Sequence, residues 1–326
     1  MSLGNISFPR YEASSEKTIA DFAPEVLYAS TDLMNTGNAI VQVVGSNGTT
    51  AEMTEAQLYG STYSNFVTNN GTTKICKIYN QGTSNSPSKD LSQDVSANQP
   101  IVDVTNKRFI FDDAFVYSPE INFGSGGQGT PSITANTIFF ASKIHAPAYD
   151  ANDVDQGEAP LLSIYNASSG GPGLTFGFSH TMHHRQLTYR RTSTQGVFNM
   201  DDSGGTPSGY YPSTTTKKAT FAFANNDIMA TGENVVWGKS IGTDSRSIWR
   251  FPSTITYSNT DDTGDFDAGT QSGDKLRWGI GGYKVSGTTK DIPTSFSLKV
   301  SMAFDRDITI NSDDYYRFLW ILLYEV

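Results

Sequence analysis

The stretch Ser295-Phe-Ser-Leu-Lys-Val-Ser-Met-Ala-Phe304 alternates large apolar residues with small or polar ones. Because successive side chains of a β-strand point to opposite faces, this alternation predicts a strand with one face in a core. Many such strands without helical patterns between them predict an all-β fold, an antiparallel β-sandwich with long loops and few short helices. Similar runs, separated by turns rich in Gly, Asn, Ser and Asp, occur at Ala39–Val44, Lys74–Tyr79, Arg108–Phe111, Asn136–Ala141, Leu174–Phe178, Gln186–Tyr189, Ala219–Phe223 and Ser247–Phe251.

The amino-acid composition favours the same class of fold. Of 326 residues, 17% are charged and 12% are aromatic. A helix bundle or coiled coil would need a chain dominated by Ala, Glu, Lys, Leu and Arg, and is excluded. The net charge of -10 argues against nucleic acid as a partner, since phosphate binding depends on clustered Lys and Arg. The single Cys76 cannot form an intramolecular disulfide.

Membrane insertion and classical secretion are not expected from the sequence. No apolar run approaches the roughly 20 residues that a membrane-spanning helix needs. The start, Met1-Ser-Leu-Gly-Asn-Ile, lacks a charged region followed by an apolar stretch, which a secretion signal would show.

Two parts of the chain differ in character. Residues 1–25 are mixed in composition, contain Pro9 and Pro24, and are predicted to form an N-terminal arm. Residues 26–326 show neither an internal repeat nor a break in composition, so they are predicted to form a single β-sandwich domain. Helical signals are few. Thr54 is predicted to cap a short helix, and 312–320 to form a final short helix or strand.

Two glycine-rich motifs match known functional sequence patterns but lack the structural context that those patterns require. Gly124-Ser-Gly-Gly-Gln-Gly129 is spelled like a dinucleotide-binding loop, but no helical pattern follows it. Gly238-Lys-Ser-Ile-Gly242 is spelled like a nucleophile elbow, again without a following helix. Neither motif is assigned a function, and no catalytic residue is predicted.

Two kinds of cluster could hold a metal ion. His180, His183 and His184 are close in sequence, but on a strand His183 would point away from the other two, which favours polar edge positions over a zinc site. Two loops carry spaced aspartates, which suit calcium. Turn chemistry alone also explains them, so no cofactor is expected, with Ca2+ as the alternative. These aspartates are Asp150, Asp153, Asp155, Asp261, Asp265 and Asp267.

Aromatic residues in the predicted loops could stack on sugar rings, while Asn and Asp hold hydroxyl groups. It is at least as plausible that these tyrosines cover the edges of the sandwich. A glycosidase would need two carboxylates facing each other across a cleft, and with so few glutamates the pair would recruit an aspartate. The tyrosines are Tyr149, Tyr165, Tyr210, Tyr211 and Tyr257, and the glutamates beyond position 60 are Glu120, Glu158, Glu233 and Glu325.

The region 66–113 carries a longer pattern. A strand ends at Tyr79-Asn80-Gln81-Gly82, the segment from Gln93 to Gln99-Pro100 follows, and a second strand ends at Phe111-Asp112-Asp113. This order resembles a signature of concanavalin A-like, laminin-G-like jelly rolls, in which Tyr-Asp-Gln-Ser-Gly precedes Gln-Ala-Thr-x-x-x-Gln-Pro and Phe-Asp-Gly. The resemblance covers about residues 25–115 and departs at Asn80, where the family has Asp. The motif residues are interpreted as structural, with Asn80 and Gln81 tying the next loop to backbone groups.

The resemblance carries a functional expectation. Domains of this family occur in tail and other virion proteins of bacteriophages, and a distant relative is the catalytic sandwich of α-L-arabinofuranosidase B. The resemblance therefore implies a lectin-like structural protein of a virion capsid or tail, serving assembly, decoration or attachment to host glycans. Its partners would be other virion proteins, copies of itself through the arm 1–25, and a cell-surface glycan. An arabinofuranosidase-like glycoside hydrolase and a soluble carbohydrate-binding module remain as alternatives.

Overall fold

The computed structural model places the strands of the chain in two large sheets. It describes residues 17–83, 89–123, 132–133, 137–146, 159–166, 172–179, 186–191, 195–199, 234–240, 245–250, 253–258, 275–285, 288–291 and 295–304, together with Phe318 and Ile321. The helices are α1 Ile19–Phe22, α2 Glu55–Leu58 and α3 Ser61–Asn70. The strands are β1 Val26–Ala29, β2 Ala39–Gly45, β3 Thr50–Thr54, β4 Thr73–Ile78, β5 Leu91–Ser92, β6 Ile101–Asp103, β7 Arg108–Asp112, β8 Val116–Tyr117, β9 Ile121–Phe123, β10 Ser132–Ile133, β11 Thr137–Ala146, β12 Ala159–Asn166, β13 Pro172–Ser179, β14 Gln186–Arg191, β15 Gln195–Asn199, β16 Asn234–Ser240, β17 Ser245–Arg250, β18 Ser253–Ser258, β19 Lys275–Ile280, β20 Gly282–Val285, β21 Thr288–Asp291 and β22 Ser295–Phe304.

The two sheets have different strand orders. Sheet A runs β18-β17-β16-β11-β22-β7-β6, with β1 also paired to β22. Sheet B runs β15-β14-β13-β12-β19-β8-β5-β4-β2-β3, with β9 beside β19 and β10 beside β9. The β9–β10 pair is parallel, and the other described pairs are antiparallel. This architecture confirms the predicted all-β sandwich with few short helices. Within the described part of the chain, no helix is long and apolar enough to cross a membrane.

The main core lies between the sheets. From sheet A, Phe111 and Phe296 stack with ring centroids 4.9 Å apart. From sheet B, Val41, Ile78 and Trp278 belong to the same buried cluster. Burying each large apolar side chain contributes about 1.5–3 kcal/mol, so this layer supplies much of the stability of the fold.

Strand β22 is buried on both faces, unlike the half-buried strand that its alternation predicts. Ala141 lies opposite Val300 and Ser142 opposite Leu298, so Lys299 is the extra residue of a β-bulge. The bulge shifts the alternation by one residue. Phe296 and Leu298 therefore contribute to the main core, whereas Val300 and the alternate residues after it pack in a second cluster on the outer face of sheet A.

Part of the predicted N-terminal arm packs in the second cluster. Ile19 and Phe22 of α1 are buried in it together with Phe318 and Ile321, against residues of β1 and β22. The rings of Phe22 and Phe318 meet edge to face at 5.2 Å. Residues 17–25 of the arm thus cover the outer face of the chain's own sheet A, while residues 1–16 lie outside the described residues.

We expect Phe22→Ala to lower the free energy of unfolding by about 2 kcal/mol, because it removes a buried ring from the second cluster. Urea denaturation monitored by circular dichroism would measure the change. As a control, Val95→Ala alters an apolar residue that is 52% exposed and should change stability by less than about 0.5 kcal/mol. An equally small effect of Phe22→Ala would mean that the arm does not stabilise the sheet.

Helix α2 was predicted from the sequence, whereas helix α3 was not. Thr54 caps α2 as predicted, since its side-chain oxygen accepts a hydrogen bond from the Gln57 N–H at 3.3 Å. Helix α3 was not predicted, because its residues are weak helix formers. It is stabilised by packing of Tyr63, Phe66 and Val67 on the core, a helical spacing that would have indicated it. The predicted strand 219–223 lies outside the described residues, as does 312–320 apart from Phe318.

Candidate functional site

Asn80 of the family-like motif connects the two sheets. Its side-chain oxygen accepts hydrogen bonds from the backbone N–H groups of Leu27 at 2.9 Å and Gly82 at 3.1 Å. Its own N–H donates to the Asp90 carboxylate at 3.0 Å. Leu27 belongs to sheet A and Asn80 follows a strand of sheet B, so this amide joins the sheets through buried hydrogen bonds.

Gln81 continues the connection. Its side-chain nitrogen donates to the Ala29 carbonyl at 3.1 Å, and its side-chain oxygen accepts from the Leu33 N–H at 3.2 Å. At Gly82 the backbones approach so closely that an added Cβ would lie 2.4 Å from the Glu25 carbonyl oxygen. A glycine is therefore needed at this crossing.

The other motif residues also lie in structural positions. The Gln93 side chain donates to the Phe115 carbonyl at 3.0 Å and accepts from the Val95 N–H at 3.0 Å. Gln99 donates to the Gln93 carbonyl at 2.7 Å, and the carbonyl of Pro100 accepts from the Ile75 N–H. Asp112 and Asp113 are exposed at the end of β7, in sheet A. Most of the motif thus serves the scaffold.

Tyr79 is the member of the motif that lies on the outer face of sheet B. A β-bulge precedes it in β4, where Gln42 lies opposite Lys77 and Val43 opposite Ile75, with Cys76 as the extra residue. The bulge keeps both Ile75 and Ile78 in the core although they are three residues apart. Lys77 and Tyr79, on either side of Ile78, are half-buried on the outer face.

A row of polar residues crosses five strands on this face. Glu52 of β3 lies opposite Gln42 of β2, Gln42 opposite Lys77 of β4, Lys77 opposite Ser92 of β5, and Ser92 opposite Tyr117 of β8. We call these five residues the polar row. At about 4.8 Å between strands, the backbone of the row spans about 19 Å. It faces away from the main core, because the core contains the sequence neighbours Val41, Met53, Ile78, Leu91 and Val116.

Glu52 and Tyr79 form a hydrogen-bonded pair at one end of the polar row. The Tyr79 hydroxyl donates to the Glu52 carboxylate at 2.7 Å, and Lys77 Nζ lies 5.4 Å from the centre of the Tyr79 ring. Burial raises the pKa of Tyr79, as do its hydrogen bond to Glu52 and the charges of Glu52 and Asp90. The hydroxyl therefore remains a donor at neutral pH.

Asp90 lies beneath this end of the row. Burial raises the pKa of its carboxyl and the charge of Glu52 adds to that, while the Asn80 N–H and Lys77 act in the opposite direction. Asp90 is 7% exposed, whereas Glu52 is exposed on the surface. The charges of both carboxylates therefore raise the pKa of Tyr79, and Glu52 also accepts its hydrogen bond.

Arg277 of β19 lies at the other end of the polar row. Its guanidinium is 5.3 Å from the centre of the Tyr117 ring, and a terminal nitrogen is 3.9 Å from the Glu120 carboxylate. Its neighbour Trp278 points into the main core, so Arg277 lies on the same outer face as the row. Both ends of the row thus pair a tyrosine with a cation and a glutamate.

Of the tyrosines predicted to bind sugars, the structure describes two and places them in different sheets. Tyr165 lies in β12 of sheet B and Tyr257 in β18 of sheet A, so both are in strands rather than loops. Tyr165 occupies the position opposite Arg277 in the register. Outside the described residues lie Tyr149, Tyr210 and Tyr211, the calcium candidates Asp150, Asp153, Asp155, Asp261, Asp265 and Asp267, and the predicted glutamates Glu158, Glu233 and Glu325. In the described part, no three His, Cys, Asp or Glu side chains form a group suited to a metal.

Sequence reasoning missed all five residues of the polar row and Arg277. Gln42, Lys77 and Ser92 occupy outward positions of predicted or short strands, but their alignment depends on pairing between strands far apart in sequence. Alternation indicates which side chains face outward, while only the register places them in one row.

No protein-family model and no curated protein sequence matches the chain. Among solved structures, a GH54 α-L-arabinofuranosidase is similar with a TM-score of 0.49 and 12% identity, covering 90% of this chain and 62% of that one. A Trypanosoma rangeli sialidase in complex with sialic acid has a TM-score of 0.43 and 12% identity, covering 77% and 31%. The CBM40 of Ruminococcus gnavus IT-sialidase has a TM-score of 0.34 and 12% identity, covering 57% and 82%.

The chain thus spans less than two thirds of the length of the first two proteins. At TM-scores below 0.5 and this identity, the likenesses do not establish a family or an activity.

Proposed function

We propose that the chain is a glycan-binding β-sandwich protein that holds sugars along the polar row. The observation that carries this proposal is the half-buried Tyr79, whose ring lies on an outer sheet face with its hydroxyl bound to Glu52 at 2.7 Å. Lys77 precedes Tyr79 by two residues on the same face, and Gln42 lies opposite Lys77 in the register. Sugar sites combine an apolar ring face with a few fixed donors and acceptors, and this end of the row has both.

Rigid placement supports binding at this position. Tyr79 follows a bulged central strand, and its backbone N–H donates to the Ile40 carbonyl at 3.0 Å. Beneath it, Asn80 is held by buried hydrogen bonds. A fixed ring loses little conformational entropy when a ligand stacks on it, so more of the contact energy contributes to affinity.

We expect Tyr79→Ala to weaken binding of the best ligand from a glycan array by about tenfold, because the stacking surface is removed. Isothermal titration calorimetry would measure the dissociation constant. Glu52→Gln should also weaken binding, since it replaces an anionic acceptor at the row with a neutral amide. The matched control is Glu55→Gln, because Glu55 pairs with Lys107 at 3.3 Å outside the row.

Two results would contradict this proposal. One is an array that shows no glycan bound by the folded protein. The other is binding that is unchanged by both Tyr79→Ala and Glu52→Gln. Thermal melting of each variant would show whether it remains folded.

A glycoside hydrolase is the second candidate, favoured by the two carboxylates that act on Tyr79. Asp90 is buried with a raised pKa, and Glu52 is exposed, an asymmetry that general acid and base roles require. Turnover of 4-nitrophenyl α-L-arabinofuranoside that is lost in both Glu52→Gln and Asp90→Asn would decide for hydrolysis. Absence of turnover in a protein that binds glycans would leave the binding role.

The setting that we propose for this binding is a virion surface. Its support is the jelly-roll resemblance of residues 25–115, whose family includes tail and other virion proteins of bacteriophages. Because residues 17–25 cover the chain's own sheet A, any tether to a neighbouring subunit would rest on residues 1–16. Mass spectrometry of purified particles would detect the protein if it is a virion component, and deletion of residues 1–16 would test the tether.

A further inference from the structure

We infer that the Arg277 end of the polar row binds the carboxylate of an acidic sugar, so that the preferred glycans contain uronic or sialic acid residues. This inference rests on the proposed glycan-binding function and adds the class of sugar.

The Arg277 side chain is held in place but has unused donor capacity. Its guanidinium lies over the Tyr117 ring at 5.3 Å, and its Nε–H is buried without a hydrogen-bond partner. The carboxylate of Glu120 is 3.9 Å from a terminal nitrogen, too far for a hydrogen bond. The side chain is 24% exposed although its Nε is buried, so the donors that a ligand can reach are the terminal nitrogens.

A carboxylate is the group that best fits these donors. Guanidinium presents parallel N–H groups that match the two oxygens of a carboxylate, and such charge-assisted pairs are about twice as strong as neutral hydrogen bonds. The contact with the Tyr117 ring restrains the guanidinium, which reduces the entropy lost on binding.

The rest of the polar row fits the sugar that carries this carboxylate. Ser92 lies between Lys77 and Tyr117 in the register. A hydroxyl group therefore lies between Lys77 and the contact of Tyr117 with Arg277. Two strand spacings of about 4.8 Å place Lys77 and Tyr117 about 10 Å apart along the sheet. Tyr165 occupies the position opposite Arg277 on the neighbouring strand β12. An acidic sugar at Arg277 would therefore continue toward Lys77 and Tyr79.

The experiment compares acidic glycans with matched neutral ones. Binding of tetragalacturonate and its methyl ester, and of 3′-sialyllactose and lactose, is measured by calorimetry with the full chain. We expect at least one acidic member to bind about tenfold or more tightly than its neutral partner. Arg277→Gln should remove this preference, so that the acidic and neutral members of the pair bind with similar affinity. Arg277→Lys, which keeps the charge and much of the packing on Tyr117, should restore only part of it.

The control is Lys107→Gln, which removes a charge at Lys107 beside Glu55, outside the polar row. It should leave the preference unchanged. Equal binding of acidic and neutral glycans by the unaltered protein, or a preference that survives Arg277→Gln, overturns the acidic-sugar inference while the proposed glycan binding stands. Absence of binding to any glycan on the array and in these pairs overturns both.

Discussion

Trp278→Ala should lower the free energy of unfolding by about 4 kcal/mol, because it leaves a large cavity between the sheets. Trp278 is fully buried, and its indole N–H donates to the Ser301 hydroxyl at 3.0 Å. The ring also lies 6.1 Å from that of Tyr28 in sheet A. The substitution therefore removes contacts that join sheet B to sheet A and leaves the buried Ser301 hydroxyl without its donor.

Urea denaturation would measure this loss, with Trp278→Phe as the matched variant. Phenylalanine retains most of the ring volume and loses the indole N–H, so it should cost about half as much as alanine. If the two substitutions destabilise the protein equally, the hydrogen bond to Ser301 outweighs the cavity. If neither does so measurably, Trp278 does not join the sheets.

Asn80→Ala should lower the free energy of unfolding by about 3 kcal/mol, because each buried N–H group left unpaired costs about 1–3 kcal/mol. The Asn80 side-chain oxygen accepts from both Leu27 and Gly82, and alanine provides no acceptor for either donor. Both donors lie in buried positions where water cannot replace the amide.

Denaturation would be compared with that of Asn38→Ala, the same substitution at an exposed asparagine. Asn38→Ala should change stability by less than about 0.5 kcal/mol. Equal effects at the two positions would show that the amide of Asn80 does not connect the sheets. A larger exchange rate of the Leu27 amide hydrogen in Asn80→Ala would locate the defect at β1.

Several longer strands of the fold could be predicted from local alternation, and the errors of that prediction have physical causes. Ala39–Val44 and Arg108–Phe111 lie in β2 and β7 as predicted. The run Ser295–Phe304 is a strand, but the bulge at Lys299 divides its apolar residues between two cores. Period-two reasoning cannot detect an extra residue whose effect depends on pairing with β11.

The candidate site was less predictable than the fold. Tyr79 stood out in the sequence because it belongs to a motif, while Arg277 had no local signal. Arg277 and Glu52 lie near opposite ends of the described chain, and only the order β19-β8-β5-β4-β2-β3 brings them to one face. Pairing of strands distant in sequence is not encoded in any short window.

The position of β22 in sheet A has a consequence for folding kinetics. This strand pairs with β1, β7 and β11, which all precede it by long stretches of chain. During synthesis these three strands emerge long before their common partner, so their pairing edges remain open until the ribosome has released residues 295–304. Folds dominated by such distant pairings fold slowly and expose strand edges meanwhile, so chaperones that bind nascent chains should engage this protein for a long part of its synthesis.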